Sequence, residues 1–465
     1  VAAPKAKERG VPDRLERALE EAESAATTAG ADVFELCATE ELSLSIEASD
    51  GAVRAEERCV ERVIGIRVLD GGIGFAATTD LCRSALIAAA HRARDEARLV
   101  RPARIRGFAA PERRTQRRGP PFLDARTTAE PREELRTLAR ELEAGIQSQR
   151  VLGARPVGIH EVRARFFLRT SGGHAAFEES SRAAISVHAL AKKGDDAQVG
   201  SAAASGLALA DLDGPAIAAR AARAAEARLG ALPVPTGRCS VVFAPEVVAE
   251  LLEALVPALL GDALDRGTSF LGRQLGAPVL GPRITLEDVP HDPALDGAAW
   301  IDGEGLPTSA RVLVRDGAWV GVLDDLESAA RGGRRPGAEA LRTGASARPR
   351  AGAHALSLRP GRVGRSALLD GAALYVTEVS GAHTIQPDTG AFSLGLVGFR
   401  VERSGVLGVG VEGATIGGSL SSVFGPGAQL GDWTEIHGGI RAPALRVDGI
   451  EVAGSGSDPF LESIH

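Results

Sequence analysis

Apolar positions along this chain follow two periods, and the period switches from stretch to stretch. Residues 14–29 space leucine and alanine as an amphipathic helix does. Strand-like runs follow at 33–38, 42–48 and 62–69, with Asp50-Gly51 and Asp70-Gly71 as turn signals. Residues 84–99 are helical again, with Asp80 as the candidate cap. The same order then recurs. A helix is predicted over 130–149, strands over 157–168, 175–180 and 183–191, and an alanine-rich helix over 215–229. Proline stands near the start of that last helix and Gly230 follows its end, as helix termini favour. The chain therefore reads twice as helix, strands, helix, over about 14–99 and 130–230. These are two α+β units alike in architecture.

The segment between them, 101–121, holds seven arginines, one acid and two closing prolines. An RNA-stacking platform would need aromatic side chains, and only Phe108 is there, so a solvated linker is the expectation. Beyond residue 235 the texture changes. A short strand is predicted at 240–243, followed by one prominent helix over 244–260. Its apolar positions are Val247, Val248, Leu251, Leu252, Leu255 and Leu259. Glycine-punctuated β runs come next, at 310–314, 318–323, 373–379, 394–401 and 406–411. The pattern predicts an α+β N-terminal domain over 1–235 and a β-rich domain over 236–465, built as a barrel or sandwich. Residues 331–350, mostly arginine, glycine and alanine, read as a mobile loop.

Composition narrows the function classes. With 44% hydrophobic and 25% charged residues among 465, wholesale disorder is excluded. A net charge of −7 gives no general attraction to nucleic acid or acidic membranes. No apolar run reaches the length of a membrane-spanning helix, and no secretory signal is evident. The four cysteines match neither a CxxC nor a zinc-ribbon spacing, so a reducing, cytoplasmic setting is expected.

Most catalytic signatures are absent. There is no Gly-Lys of a phosphate loop and no GxSxG elbow. Residues 408–413 spell GxGxxG but open no helix, so close-packed strand glycines are the better reading. No HExxH or HExxxH occurs among the nine histidines. His160, His174 and His188 recur at a constant interval and could meet across strands, though surface or hydrogen-bonded strand positions are the commoner fate. The acidic pairs Asp302/Glu304 and Asp324/Asp325 stand beside turn-forming positions. Turn building is the default there, and a carboxylate lining a cleft is the alternative.

A series of short motifs, taken in order, resembles the TldD/PmbA family of modulator-of-gyrase-type metalloproteases. Residues 65–80, with glycines around a hairpin, resemble its N-terminal strand. Arg266-Gly-Thr-Ser269 resembles its arginine-glycine-threonine-serine turn, and residues 300–307 its acidic segment. Arg342-Thr-Gly344 resembles its threonine-glycine loop. Ser380-Gly-Ala-His383 and Thr389-Gly-Ala-Phe-Ser-Leu-Gly395 are similar to its glycine-histidine and TGxFS signatures. Residues 442–447 and 452–454 resemble its C-terminal strands.

The resemblance also marks a departure. Zinc-holding TldD-type members carry HExxxH on the helix before the arginine-glycine-threonine-serine turn. Counting back from that turn, the motif falls on Leu252, Glu253 and Pro257, so neither histidine position can bind zinc. The cysteine ligand those members place near the C-terminus is missing too, since no cysteine follows Cys239. The resemblance is therefore to the metal-free PmbA/TldE branch. It implies no cofactor in this chain, zinc in a TldD-type partner subunit, and a heterodimer that encloses an extended peptide by strand pairing. His383, Thr389, Gly390, Phe392 and Ser393, with Asp302 and Glu304, are then the candidates to line that chamber. No nucleic-acid or membrane partner is implied. A homodimer is an open alternative, because two such chains could also close a chamber. Two other readings stand beside this one. One is a peptide-binding module of a biosynthetic pathway, whose 331–350 arginines attract an acidic peptide. The other is a stand-alone hydrolase built on His383, Glu304, Asp302 and Glu253.

Overall fold

The structure, a computed structural model, describes residues 14–110, 122–146, 151–402 and 405–456. The first unit runs α1 (Arg14–Thr28), β1 (Phe34–Ser49), β2 (Ala52–Asp70), β3 (Gly72–Thr78) and α2 (Arg83–Leu99). The second runs α3 (Glu133–Ala144), β4 (Val151–Thr170), β5 (Ala175–Lys193), β6 (Asp196–Gly206) and α4 (Gly214–Arg228). Their strands form one antiparallel sheet in the order β3-β2-β1-β4-β5-β6, with β1 and β4 paired at the centre. The two units are thus the two halves of a single sheet.

Each half closes its outer strand against an alanine-rich helix in the same way. A Cβ on Gly74 of β3 would collide with the Ala93 carbonyl of α2. One on Gly200 of β6 would collide with the backbone at Ala221 and Ala225 of α4. Glycine facing alanine lets sheet and helix backbones approach closely. The α4 start is fixed by Asp213, whose carboxylate accepts from the Ala216 N–H at 2.9 Å. Asp80 instead accepts from the Cys82 N–H just before α2, so it orders the approach to that helix without capping it.

Several strands differ from their predicted extents. Runs 33–38 and 42–48 are one strand, and so are 175–180 and 183–191. Glu40, which interrupts the first apolar pattern, is held by Arg62 of β2 at 2.5 Å and by Arg165 of β4 at 3.4 Å. Cross-strand ion pairing carries the strand through this polar position. The break in the second sits at Ser181, whose hydroxyl donates to the Leu207 carbonyl at 3.1 Å. Strand β6 carries mostly small residues and leaves little periodic signal. The 101–121 linker also departs from expectation over its described part, 101–110. Arg101, Arg104 and Arg106 face solvent, but Phe108 and Ala109 are buried and Thr170 donates to the Ala109 carbonyl. Positions 111–121, and 147–149 of the predicted helix, lie outside the described residues.

The remainder is a second assembly. It begins with β7 (Gly237–Phe243), α5 (Pro245–Leu255), α6 (Gly261–Arg266), β8 (Leu286–Asp288), β9 (Arg311–Arg315) and β10 (Ala318–Trp319). Next come α7 (Leu326–Arg331), the two-residue pair β11 (Ala340–Leu341) and β12 (Arg350–Ala351), β13 (Leu356–Leu358) and α8 (Arg365–Leu369). It ends with β14 (Leu374–Ser380), β15 (Ala391–Val401), β16 (Leu407–Ser419), α9 (Leu420–Val423), β17 (Gln429–His437) and β18 (Ile440–Ala453). The expected barrel or sandwich is one large ten-stranded sheet whose hub is β18, which pairs with β7, β13, β16 and β17. Its core packs α5 through Val247, Val248, Leu251, Leu252 and Leu255 against Val241, Leu394, Ile416 and Leu445. The GxGxxG stretch lies within β16, where Gly410 meets the Ala227 carbonyl at a distance no Cβ would permit.

The 331–350 segment is not a loose loop. Arg334 bridges Asp265 at 2.6 Å and Asp324 at 2.6 Å, Arg342 reaches Glu35 at 2.6 Å, and Arg348 pairs with Glu96. Four of its six arginines, Arg331, Arg334, Arg342 and Arg348, are ion-pair anchors, a pattern that composition alone cannot distinguish from a solvated run.

Candidate functional site

Helix α5 carries Leu252 and Glu253, and Pro257 follows it; these are the positions that the resemblance sets against HExxxH. Its N-terminus begins at Pro245, and its apolar stripe faces the core. The predicted helix 244–260 ends its α-helical part at Leu255 and tightens into a 3-10 turn over Val256–Leu259. Pro257 is the reason: it has no N–H to donate to the carbonyl four residues back. Leu252 is fully buried among core side chains, whereas Glu253 faces solvent. Side chains of this kind do not fit a zinc ion. Leu252 and Pro257 offer only carbon, and Glu253 alone supplies a donor.

The turn that follows has a structural task. Gly267 adopts φ +64° at the end of α6, and the Thr268 N–H donates to the Ala263 carbonyl at 2.9 Å. Ser269 is buried and donates to the Ala258 carbonyl at 2.7 Å, which the 3-10 turn leaves free. The arginine-glycine-threonine-serine motif thus stitches the end of α5 to the next element.

The chamber candidates separate into two places. His383 and Thr389 are exposed, as is Ser393 on β15. Gly390, at φ +68°, and Phe392 are buried; the Gly390 carbonyl accepts from the Leu420 N–H, and its Cα lies against the Phe270 ring. Ser393 borders an open groove of about 370 Å³ with Thr236, Arg238, Thr415 and Glu451. Of the chamber candidates Ser393 alone lines this groove; His383, in the 3-10 turn Ala382–Thr384, and Thr389 are exposed but do not line it.

Asp302 and Glu304 lie elsewhere, buried where the two assemblies meet. Asp302 builds its own turn, accepting from the Glu304, Leu306 and Ala340 N–H groups at 2.9, 2.8 and 3.2 Å. Burial first, and the Glu304 charge second, push its carboxyl up to about 8. Glu304 accepts from Arg67 of β2 at 2.9 Å and from the Leu326 N–H at 2.8 Å. Arg67 also contacts Glu35 at 3.2 Å and lies 4.8 Å over the Phe108 ring; Glu35 in turn holds Arg342. Two arginines and two glutamates thus form a buried, balanced network across the junction. Neighbouring contacts reinforce it: His174 meets the Gly305 carbonyl at 2.9 Å, and Glu178 accepts from the Trp300 N–H at 2.9 Å. This Trp300–Pro307 hairpin acts as a peg seated in the N-terminal sheet. Asp324 and Asp325 are likewise structural, Asp324 holding Arg334 and Asp325 capping α7.

The three evenly spaced histidines do not converge. His160 is exposed, His174 is buried at the peg, and His188 pairs with Ser201 at 2.8 Å. Sequence reasoning passed over Glu35 and Arg67, whose partners across the junction, Arg342 and Glu304, lie hundreds of residues away. It also passed over a group formed by Glu246 on α5 with Glu435 and His437 on β17. The Glu-x-His spacing at 435–437 was the available signal, since i and i+2 share a strand face.

Comparison with known proteins gives the family and the fold. Residues 34–97, 127–229 and 236–454 match, in turn, the family models of PmbA/TldA metallopeptidase domain 1, central domain and C-terminal domain. The metalloprotease PmbA of Escherichia coli O157:H7 is 27% identical, covering 94% of this chain and 96% of its own. Among solved structures, a putative modulator of DNA gyrase from Thermotoga maritima superposes with a TM-score of 0.83 at 21% identity, covering 94% of this chain and 100% of its own. TldE from Thermococcus kodakarensis does so with 0.82 at 19%, covering 95% and 100%. At those identities the two structures speak for the fold. With the matched domains in order along nearly the whole length, this chain belongs to the PmbA/TldD metallopeptidase family.

Proposed function

We propose that this chain is a PmbA/TldE-like, non-catalytic subunit of a heterodimeric metallopeptidase that degrades or matures peptides. A TldD-type partner holds the zinc, and this chain helps enclose an extended substrate. The observation that carries the reading is the α5 position. Leu252 is a core side chain and Pro257 sits in a 3-10 turn, so the hydrolytic ligand set has no foothold there. The groove beside Ser393 lies over strands already paired with one another, and it would offer a substrate the polar side chains of Thr236, Arg238, Thr415 and Glu451. The four cysteines are unpaired, in keeping with a cytoplasmic location. The acidic-peptide module is less favoured, because Arg334, Arg342 and Arg348 already hold acids of the chain itself.

The test is reconstitution. The purified chain is mixed with the TldD-type subunit of the same genome and an unfolded peptide substrate. Hydrolysis should require both chains, stop on chelation and survive Glu253→Gln in this chain. Chelator-sensitive hydrolysis by this chain alone, abolished by Glu253→Gln or His383→Ala, would refute the proposal.

A further inference from the structure

We propose that Glu246, Glu435 and His437 form a divalent transition-metal site, suited to zinc, that is separate from the family's hydrolytic position. The site follows from how two elements cross. Glu435 and His437 are i and i+2 on β17, so both side chains leave the same face of the strand. Helix α5 packs against β17 with its first turn, and Glu246 stands in that turn. The His437 Nε2 atom lies 3.8 Å from one Glu246 oxygen and 3.9 Å from one Glu435 oxygen, and the three donor atoms fall within 4.8 Å of one another.

Three features point to a cation between them. First, His437 Nε2 is shielded from solvent and has no hydrogen-bond partner. A buried imidazole nitrogen with no partner is costly, and a metal ion satisfies it. Second, among the described residues neither carboxylate has an arginine or lysine within ion-pair distance; each has His437 alone. Third, the spacing is close to that of a metal site. Donors about 2.1 Å from a tetrahedral centre stand roughly 3.4 Å apart, so His437 needs to close on each carboxylate by about half an ångström, and the two carboxylate oxygens on each other by at most about 1.4 Å. The Glu246 and Glu435 side chains are 35% and 43% exposed, so neither carboxylate is enclosed on all sides.

The surroundings carry mixed charge. Glu250 and the Tyr375 hydroxyl face Glu246, and Arg220 acts on both Glu246 and His437. Arg220 is tethered, donating to the Ala203 carbonyl at 2.9 Å. Two carboxylates and a neutral imidazole against one guanidinium leave a net attraction for a dication. One nitrogen and two oxygens suit zinc better than calcium or magnesium, which favour all-oxygen shells. Three protein donors leave a coordination position for water. The site lies six residues before Leu252, about 9 Å along the helix axis, so it does not restore the family motif. It departs from the expectation that this chain carries no metal of its own.

The experiment uses the purified full chain, freed of metal, titrated with zinc against a chromophoric chelator and with cobalt(II) in the visible range. We expect one equivalent bound at micromolar metal or below, and cobalt d–d bands without thiolate charge transfer. Affinity should fall at least about tenfold in His437→Ala and in Glu435→Gln, and zinc should raise the melting temperature of the wild type alone. Glu435→Gln keeps the shape of a half-exposed side chain, so it separates lost binding from lost folding. No binding at micromolar metal, thiolate bands implicating Cys59 or Cys82, or undiminished affinity in both variants would overturn the proposal.

Discussion

Replacing Arg67 with alanine removes the cation shared by two buried carboxylates, Glu35 and Glu304, and its contact with Phe108. Glu304 is then left with one backbone N–H, from Leu326, and Glu35 with Arg342 alone. Breaking a buried pair while leaving the partner charge in place costs about 3–5 kcal/mol. With a urea slope of about 3 kcal/mol per molar, the midpoint falls by roughly 1–2 M. The Arg67→Ala, Glu304→Leu double variant has no orphan charge at Glu304. It should lose less than the sum of the singles, with a coupling of about 1–3 kcal/mol. The assay is equilibrium unfolding followed by tryptophan fluorescence and by far-ultraviolet dichroism together. The three tryptophans lie at 300, 319 and 433, so fluorescence reports the C-terminal assembly and, through Trp300, the junction. In Arg67→Ala the two signals should separate, because the halves no longer unfold as one. A midpoint shift below about 0.3 M, or strict additivity in the cycle, would refute the claim that the network couples the two assemblies.

Other consequences are simpler to test. Burial pushes the thiols of Cys37 and Cys239 up to about 11 and about 12, so a disulfide reagent should titrate Cys59 and Cys82 in the native chain and all four in urea; four fast thiols in the native chain would contradict the burial. Asp302 sits far above its ordinary value of 3.8, so the folded state holds an extra proton between about pH 4 and 8. That stability is fully present below pH 4 and is lost as pH rises through 8, and Asp302→Asn should flatten the slope of midpoint against pH; parallel curves would refute it. Leu252→Ala should cost about 2–5 kcal/mol, while Glu253→Gln, on the surface, should stay within about 0.5 kcal/mol in the same urea assay. Gly200→Ala should destabilise by about 1–3 kcal/mol, because β6 and α4 must move apart, and an unchanged midpoint would count against that packing.

In the N-terminal half the helix, strands, helix order was legible, because the helices have apolar spacing and the turns at Gly51 and Gly71 have their glycines; β3, and the short helices after α5, were not foreseen. The alanine-rich α4 carries its own punctuation in Asp213, Pro215 and Gly230. Strand extents were less legible, since Glu40 looks like an interruption until Arg62 and Arg165 come alongside it from other strands. The 331–350 arginines misled for the same reason: Arg342 finds Glu35 from 307 residues away, and no local pattern encodes that meeting. At the site, the carbon-only side chains of Leu252 and Pro257 could be read by counting back from the turn. The approach of Glu246 to His437 could not, because it depends on which face of β17 meets the first turn of α5.

The central seam has a consequence for how the chain can be divided. Strand β1 zips to β4 from Glu35 opposite Thr170 to Ala48 opposite Val157, yet over a hundred residues separate them in synthesis. As the chain emerges from the ribosome, the first unit waits with a long strand edge unpaired until the second arrives. Such an edge is a template for pairing with any other chain. A fragment ending near residue 100 should therefore self-associate, whereas one ending near 235 has both sides of the seam. The smallest piece that can be handled alone is the pair of units, even though each by itself has the look of a domain.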